Sequence, residues 1–244
     1  MKDPRIAVVV PAWHEELILA RMLGRVPSCA EWIIVVDDGS SDATFEVAQA
    51  EAKRDPRIVA LRQAENQGVG AAIVRGYQES LALGADIMVV MAGDDQMDPA
   101  DFDAVIAPVV SGKADYVKGN RLIHPNAQHM PVVRRVGTRL LARLTGLIAG
   151  YPGLDDAQCG YTALSAEAAR QLPLGKLYPR YGYPNDMVLR LGEAGFRIVE
   201  VTVAPVYADE ISGLAVHRVI RPISGILARG ALRRLRKSLR SSAR

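Results

Sequence analysis

Two clusters of side-chain oxygens in this 244-residue chain are placed to do chemistry. The first is Asp37-Asp38, which ends an apolar run and precedes Gly39-Ser40-Ser41-Asp42. A carboxylate there can accept hydrogen bonds from a base imide or a ribose hydroxyl. The same residues also make an ordinary turn and helix cap. The second cluster is Asp94-Asp95-Gln96, between Met91 and Pro99. Hard divalent cations such as Mg2+ or Mn2+ take carboxylate and amide oxygens and bridge to a diphosphate. Its plain alternative is a solvated loop in which Asp98 caps a helix opened by Pro99. Two such clusters at corresponding strand ends favour one shared site. Because a buried carboxylate is costly, Asp37 and Asp38 are expected at the solvent-facing mouth of a sheet.

Short runs rich in valine and isoleucine alternate with segments of helical period. Residues 5–10, 32–37, 57–61 and 86–91 read as strands, and residues 15–26, 42–54 and 69–83 as helices. The pattern predicts an α/β protein with a mostly parallel, Rossmann-like sheet flanked by helices, its functional loops at the carboxyl ends of the strands. Further along, helices are expected over residues 99–110, 134–148, 166–171 and 186–194, and strands over 115–118, 159–164 and 196–201. With no repeat and no low-complexity linker, the reading is one domain over residues 1–213 followed by a tail over 214–244.

A hydrophobic content of 49% suits a folded chain with a substantial core. Cys29 and Cys159 lie far apart, and no signal peptide precedes the first apolar run, which points to unpaired thiols in a reducing, cytoplasmic compartment. No apolar stretch approaches a spanning helix. The net charge of +3 hides an asymmetry: nine basic residues and no acidic one follow from Arg218 onward, so the remainder is net acidic. A dinucleotide fold is disfavoured, because Pro11-Ala12-Trp13 stands where its glycine pattern would follow the first strand.

The ordered motifs Pro11-Ala12-Trp13-His14-Glu15-Glu16, Val36-Asp37-Asp38-Gly39-Ser40-Ser41-Asp42, Asn66-Gln67-Gly68-Val69-Gly70-Ala71-Ala72 and Gln96-Met97-Asp98-Pro99 resemble the inverting GT-A glycosyltransferases of family two. Gly119-Asn120-Arg121, Asp156-Ala157-Gln158-Cys159-Gly160-Tyr161 and Glu200-Val201 resemble its dolichol- and polyprenyl-phosphate branch, the dolichol-phosphate mannosyltransferase-like enzymes. The resemblance implies a GT-A fold, a UDP- or GDP-sugar donor, a polyprenyl-phosphate acceptor and Mg2+ or Mn2+ as cofactor. By position it implies a nucleotide-sugar pocket of Pro11, Trp13, Glu15, Asp37, Asp38, Gly93 and Asp94, with Asp156 organising the site around the sugar. Asp94 and Gln96 would hold the metal, and Arg121, with Arg134 or Arg135, would bind the acceptor phosphate through paired guanidinium donors. Asp94 and Arg121 are thus the expected catalytic residues.

The chain departs from that pattern twice. Ala92 stands where the family's Asp-x-Asp has its first carboxylate, leaving Asp94 and Gln96, with neighbouring Asp95 as a substitute. A basic pair in an Arg-x-x-Gly-x-Ser-Lys context is replaced by Tyr207-Ala208-Asp209-Glu210-Ile211-Ser212-Gly213, which shifts expected diphosphate contacts to His217 or Arg218. An anionic lipid phosphate attacks without a general base, whereas a saccharide or small-molecule hydroxyl needs one, with Asp186 as candidate base or helix cap. A binding protein that lost turnover through Ala92 is the third reading.

In the tail, Val219, Ile220, Ile223, Ile226, Leu227, Ala231, Leu235 and Leu239 fall largely on one side of a helical projection and most arginines on the other. This predicts a basic amphipathic helix at a membrane surface, against the alternatives of packing on its own domain or binding RNA. The expected partners include the membrane and exclude nucleic acid, and the expected location is peripheral at the cytoplasmic face.

Overall fold

The computed structural model describes residues 3–206 and 216–242, with side chains omitted at residue 129 and over 216–220 and 237–242. Seven strands form one sheet in the order β3-β2-β1-β4-β6-β5-β7. They are β1 Ile6–Ala12, β2 Ala30–Asp37, β3 Ile58–Arg62, β4 Ile87–Val90, β5 Tyr116–Asn120, β6 Thr162–Ser165 and β7 Ile198–Thr202. β3, β2, β1 and β4 are mutually parallel, and β5 and β7 are parallel to each other. β6 runs antiparallel to both its neighbours, β4 and β5.

The apolar runs follow from burial on both faces. Val8 and Val10 enter one core with Leu19, Ile33, Val35 and Phe102, while Val9 enters the other with Ile73, Tyr77, Met88 and Val188. The first core lies under α1 (Leu19–Leu23), α2 (Thr44–Ala52) and α4 (Phe102–Val110). The second lies under α3 (Val69–Leu83), α5 (Val132–Ala149), α6 (Ala166–Gln171) and α7 (Tyr183–Ala194), with Ile226 of α8 (Val216–Ser242) joining it.

α3 occupies the span its sequence predicts, opened by Gly68 at φ +106°. α1 is much shorter than residues 15–26, because the preceding backbone is tied to the neighbouring loop. His14 N–H donates to Ser40 Oγ at 3.0 Å and Glu15 N–H to Thr44 Oγ1 at 2.8 Å. α2 starts at Thr44 rather than Asp42, whose carboxylate accepts from the Thr44 amide and hydroxyl. β6 starts at Thr162 rather than 159, since the Cys159 amide is committed to Asp156.

Among the described residues no helix is long and apolar enough to cross a membrane. α8 is helical as the tail sequence predicts, but part of its apolar side turns inward. Ile223 and Ile226 are buried, and Gly230 lies against Leu189 of α7. Leu232 and Leu235 stay exposed. Val219, Ile220 and Leu239 of the predicted face lie outside the described side chains, as do His217 and Arg218.

Candidate active site

The carboxyl ends of β1, β2, β3 and β4 are stitched together beyond the last strand residues. Asp38 N–H donates to Ala12 O at 2.9 Å, Gln63 N–H to Asp37 O at 2.9 Å, and Gly93 N–H to Pro11 O at 3.0 Å. The last approach is close: a Cβ at Gly93 would stand 3.2 Å from that of Ala12. The loop of Asp94 is thereby fastened beside Pro11 and Ala12, at the edge that also holds Asp37 and Asp38.

Both aspartates are buried, at 0% and 3% exposure, instead of facing solvent as expected. Donors from other elements make this burial tolerable. Asp38 Oδ1 accepts from Gln63 Nε2 at 2.6 Å and Gln67 N–H at 2.8 Å, and Oδ2 from Gly68 N–H at 2.8 Å. Asp38 thus anchors the loop that opens α3. Asp37 Oδ1 accepts from Ser40 N–H at 3.1 Å, while its buried Oδ2 has no hydrogen-bond partner. Arg62 Nε lies 3.3 Å from that oxygen as an ion pair.

Trp13 is half exposed and stacks on His14 with ring centroids 4.3 Å apart. His14 has φ +59°. Its Nε2 accepts from Ser41 N–H at 3.3 Å and lies 3.1 Å from Ser41 Oγ, which locks the β1 loop to the β2 loop. Pro11, in β1, is buried, and Glu15, in the loop that follows, is half-buried.

In the second cluster, Asp94 Oδ1 accepts from Gln96 N–H at 3.1 Å, so the carboxylate is oriented by its own loop. Asp95, at φ +57°, is engaged elsewhere. Arg21 Nε at 3.0 Å and Arg25 Nη1 at 2.6 Å hold its carboxylate, which therefore does not replace the one missing at Ala92. The described residues contain no group of three or more His, Cys, Asp or Glu arranged to hold a metal. Asp94 with Gln96 nevertheless offers the oxygen donors that suit a magnesium ion, which keeps several waters and draws on substrate phosphates.

A third set of the expected site residues comes from the end of β5 and the segment before β6. Asp156 is fully buried and pairs with Arg121, Nε at 2.8 Å and Nη2 at 3.1 Å, while also accepting from the Arg121, Gln158 and Cys159 amides. Burial opposes its charge, but the Arg121 guanidinium and these donors hold its pKa below the ordinary range. Glu200 Oε1 and Oε2 accept from Asp156 and Asp155 N–H at 2.8 and 2.9 Å. Burial lifts the Glu200 pKa despite those amides. Lys118, buried, donates to Cys159 O at 2.6 Å, and burial lowers its pKa.

Arg134 and Arg135 stand in the first turns of α5, Arg134 exposed and Arg135 half-buried. Asp186 is no helix cap: it lies inside α7, where it accepts from Tyr178 N–H and pairs with Arg190 and, at 3.5 Å, Arg233. Arg62 and Gln63 were missed by sequence reasoning. The signal for Arg62 was the parallel register, which sets it directly beside Asp37.

A sequence model described as Glycosyl transferase family 2 matches residues 7–171. The UDP-N-acetylglucosamine–dolichyl-phosphate N-acetylglucosaminyltransferase of Methanococcus voltae is 29% identical over 223 residues, covering 86% of this chain and 88% of the relative. The undecaprenyl-phosphate mannosyltransferase of Micrococcus luteus is 29% identical over 205 residues, with 82% of each chain covered. In fold, the chain is similar to the glucosyl-3-phosphoglycerate synthase of Mycobacterium tuberculosis crystallised with Mn2+, uridine diphosphate and phosphoglyceric acid. That likeness has a TM-score of 0.70 and 19% identity, covering 93% of this chain and 78% of that one. The seven-stranded α/β sheet is that of the GT-A glycosyltransferases, and the chain belongs to glycosyl transferase family 2.

Proposed function

We propose that the protein transfers a sugar, with inversion, from a nucleotide-sugar to a polyprenyl phosphate. The observation that carries the donor half is the gathering of Asp37, Asp38 and the Asp94 loop at one sheet edge, where Asp38 N–H meets Ala12 O and Gly93 N–H meets Pro11 O. Carboxylates at such an edge suit a base imide or ribose hydroxyl, and both UDP- and GDP-sugars carry these donors. Pro11, Trp13 and Glu15 line the nucleotide side with Gly93. Asp38 shapes the pocket by holding residues 67 and 68 in place.

Asp94 and Gln96 would hold Mg2+ or Mn2+, which when bound supplies positive charge to the diphosphate. The chain's own part is positioning. Asp156 keeps the Arg121 guanidinium in one orientation toward the acceptor side, and Arg134 and Arg135 add charge for a phosphate at the start of α5. An anionic phosphate oxygen needs no proton removed before it attacks the anomeric carbon. The ion pairs of Asp186 with Arg190 and Arg233 argue against a hydroxyl acceptor activated by that carboxylate. The relatives named for transfer to dolichyl and undecaprenyl phosphates support the same acceptor class.

Residues 1–213 would form the catalytic domain and 214–244 its basic appendage, with the protein working peripherally at the cytoplasmic face of a membrane. Purified protein incubated with nucleotide-sugars, Mn2+ and short-chain polyprenyl phosphates should release nucleoside diphosphate only when the lipid phosphate is present. Release with free sugars alone, or binding without release under every condition, would sink the reading.

A further inference from the structure

α5 is built inside out. Its buried positions are small, Ala142, Thr145, Gly146 and Ala149. Its large apolar residues point outward, with Val133 at 86% exposure, Val136 at 60%, Leu140 at 61% and Leu147 at 60%, and Leu144 also exposed. Their spacing of three and four residues draws one stripe along the helix, about 21 Å long at 1.5 Å per residue. The buried face cannot be enlarged, because Gly146 meets the Tyr151 backbone and the Ala149 carbonyl meets Gly192 of α7.

Over Val132–Ala149 the helix carries Arg134, Arg135, Arg139 and Arg143 and no acidic residue. Arg143 pairs with Asp155 at 2.7 Å and Arg139 lies 3.8 Å from it, while Arg134 and Arg135 have no ion-pair partner among the described residues. At the other end, Arg234 of α8 donates to the Leu147 and Ile148 carbonyls at 2.6 Å. This fixes α8, with exposed Leu232 and Leu235, to the last turn of α5.

We propose that this face of α5 is a docking surface for a lipid leaflet with anionic headgroups. Leucines and valines enter the headgroup boundary while the flanking arginines meet negative charge. A second copy is the poorer occupant, because a symmetric pairing through α5 brings the arginines of both chains together. A nucleic acid would satisfy the arginines and leave the leucines in water. Only residues 121–131 separate β5, at the site edge, from the start of α5. The inference deepens the proposed function by stating where the leaflet meets the domain, and for the delivery of a lipid phosphate it rests on that reading.

The test is co-sedimentation of the full chain with phosphatidylglycerol vesicles and with phosphatidylcholine vesicles, for wild type and Leu140→Ser/Leu144→Ser. Circular dichroism melting checks folding, and turnover of a water-soluble short-chain polyprenyl phosphate is followed in parallel. The expected result is wild-type binding that prefers phosphatidylglycerol and a drop of about tenfold or more in the variant, with melting and soluble-acceptor turnover unchanged. Equal vesicle binding by variant and wild type overturns the docking surface. So does a wild-type dimer in sedimentation analysis that the substitutions dissociate while vesicle binding persists. Vesicle binding that follows the prediction, with no polyprenyl phosphate turned over by wild type, leaves the docking surface standing and rejects the acceptor assignment.

Discussion

The Asp38 carboxylate receives the Gly68 amide at 2.8 Å, joining the end of β2 to the first turn of α3 across thirty residues of chain. Gly68 has φ +106°, and a Cβ there would run into Pro179 and Arg180, so only glycine fits this position. Replacing Asp38 by Asn puts an amide N–H2 against donors that need an acceptor. We expect Asp38→Asn to lose roughly 1–3 kcal/mol of stability in urea unfolding, together with weaker nucleotide binding.

Asp37 should separate from its neighbour in the same experiments. Asp37→Asn can still accept from Ser40 N–H, but loses the anionic oxygen at Oδ2. Titration calorimetry with the nucleoside diphosphate should give an affinity lower by about tenfold or more, the scale of one hydrogen bond to a charged group. The melting temperature should change little. Undiminished affinity would remove Asp37 from the nucleotide pocket.

The pair of Arg121 and Asp156 predicts an acid sensitivity. Asp156 has a depressed pKa in the folded state, so its contribution is present above the unfolded value of about 3.9 and is lost as pH falls through the folded one. Glu200, raised by burial, has the opposite sign: its protonation favours the folded state, and that contribution fades as pH rises through its folded pKa. Arg121→Ala strands a buried carboxylate and should cost about 3–5 kcal/mol at neutral pH. Urea midpoints measured from pH 3 to 7 should show this difference narrowing toward the acid end.

At the second cluster, two substitutions pull in opposite directions. Asp94→Ala should lower Mn2+-stimulated turnover by at least about a hundredfold. Ala92→Asp restores a carboxylate on the Asp94 loop and should lower the Mn2+ concentration for half-activation by about tenfold, since ligand charge sets affinity at such sites. If Ala92→Asp leaves the Mn2+ response untouched, position 92 does not face the ion.

Where one stretch of chain decided the outcome, the sequence was readable. The apolar runs of β1 to β4 and the helix over residues 69–83 are set by local pattern, and α3 begins and ends where that pattern does. Burial of Asp37 and Asp38 was not readable, because the donors to Asp38, from Gln63, Gln67 and Gly68, and the ion-pair partner of Asp37, Arg62, come from another strand and loop. The orientation of Asp95 depends likewise on Arg21 and Arg25, some seventy positions away. In α5 the sequence predicted a helix over residues 134–148, but not which of its sides the domain would cover. The covered side turned out to be the small one, with Ala142, Gly146 and Ala149 buried.

The reversed strand β6 divides the molecule in a way that matters for redesign. Asp37, Asp38 and Asp94 stand at or just after the ends of strands among β1 to β4, whereas Arg121 and Asp156 arrive from chain that lies wholly beyond β4. Insertions or exchanges within residues 122–131 or 150–155 therefore fall between no two of the first four strands and leave their register alone. A library confined to the far side of that seam can vary the surroundings of Arg121 and Asp156 while the strand ends that carry Asp37, Asp38 and Asp94 stay as they are.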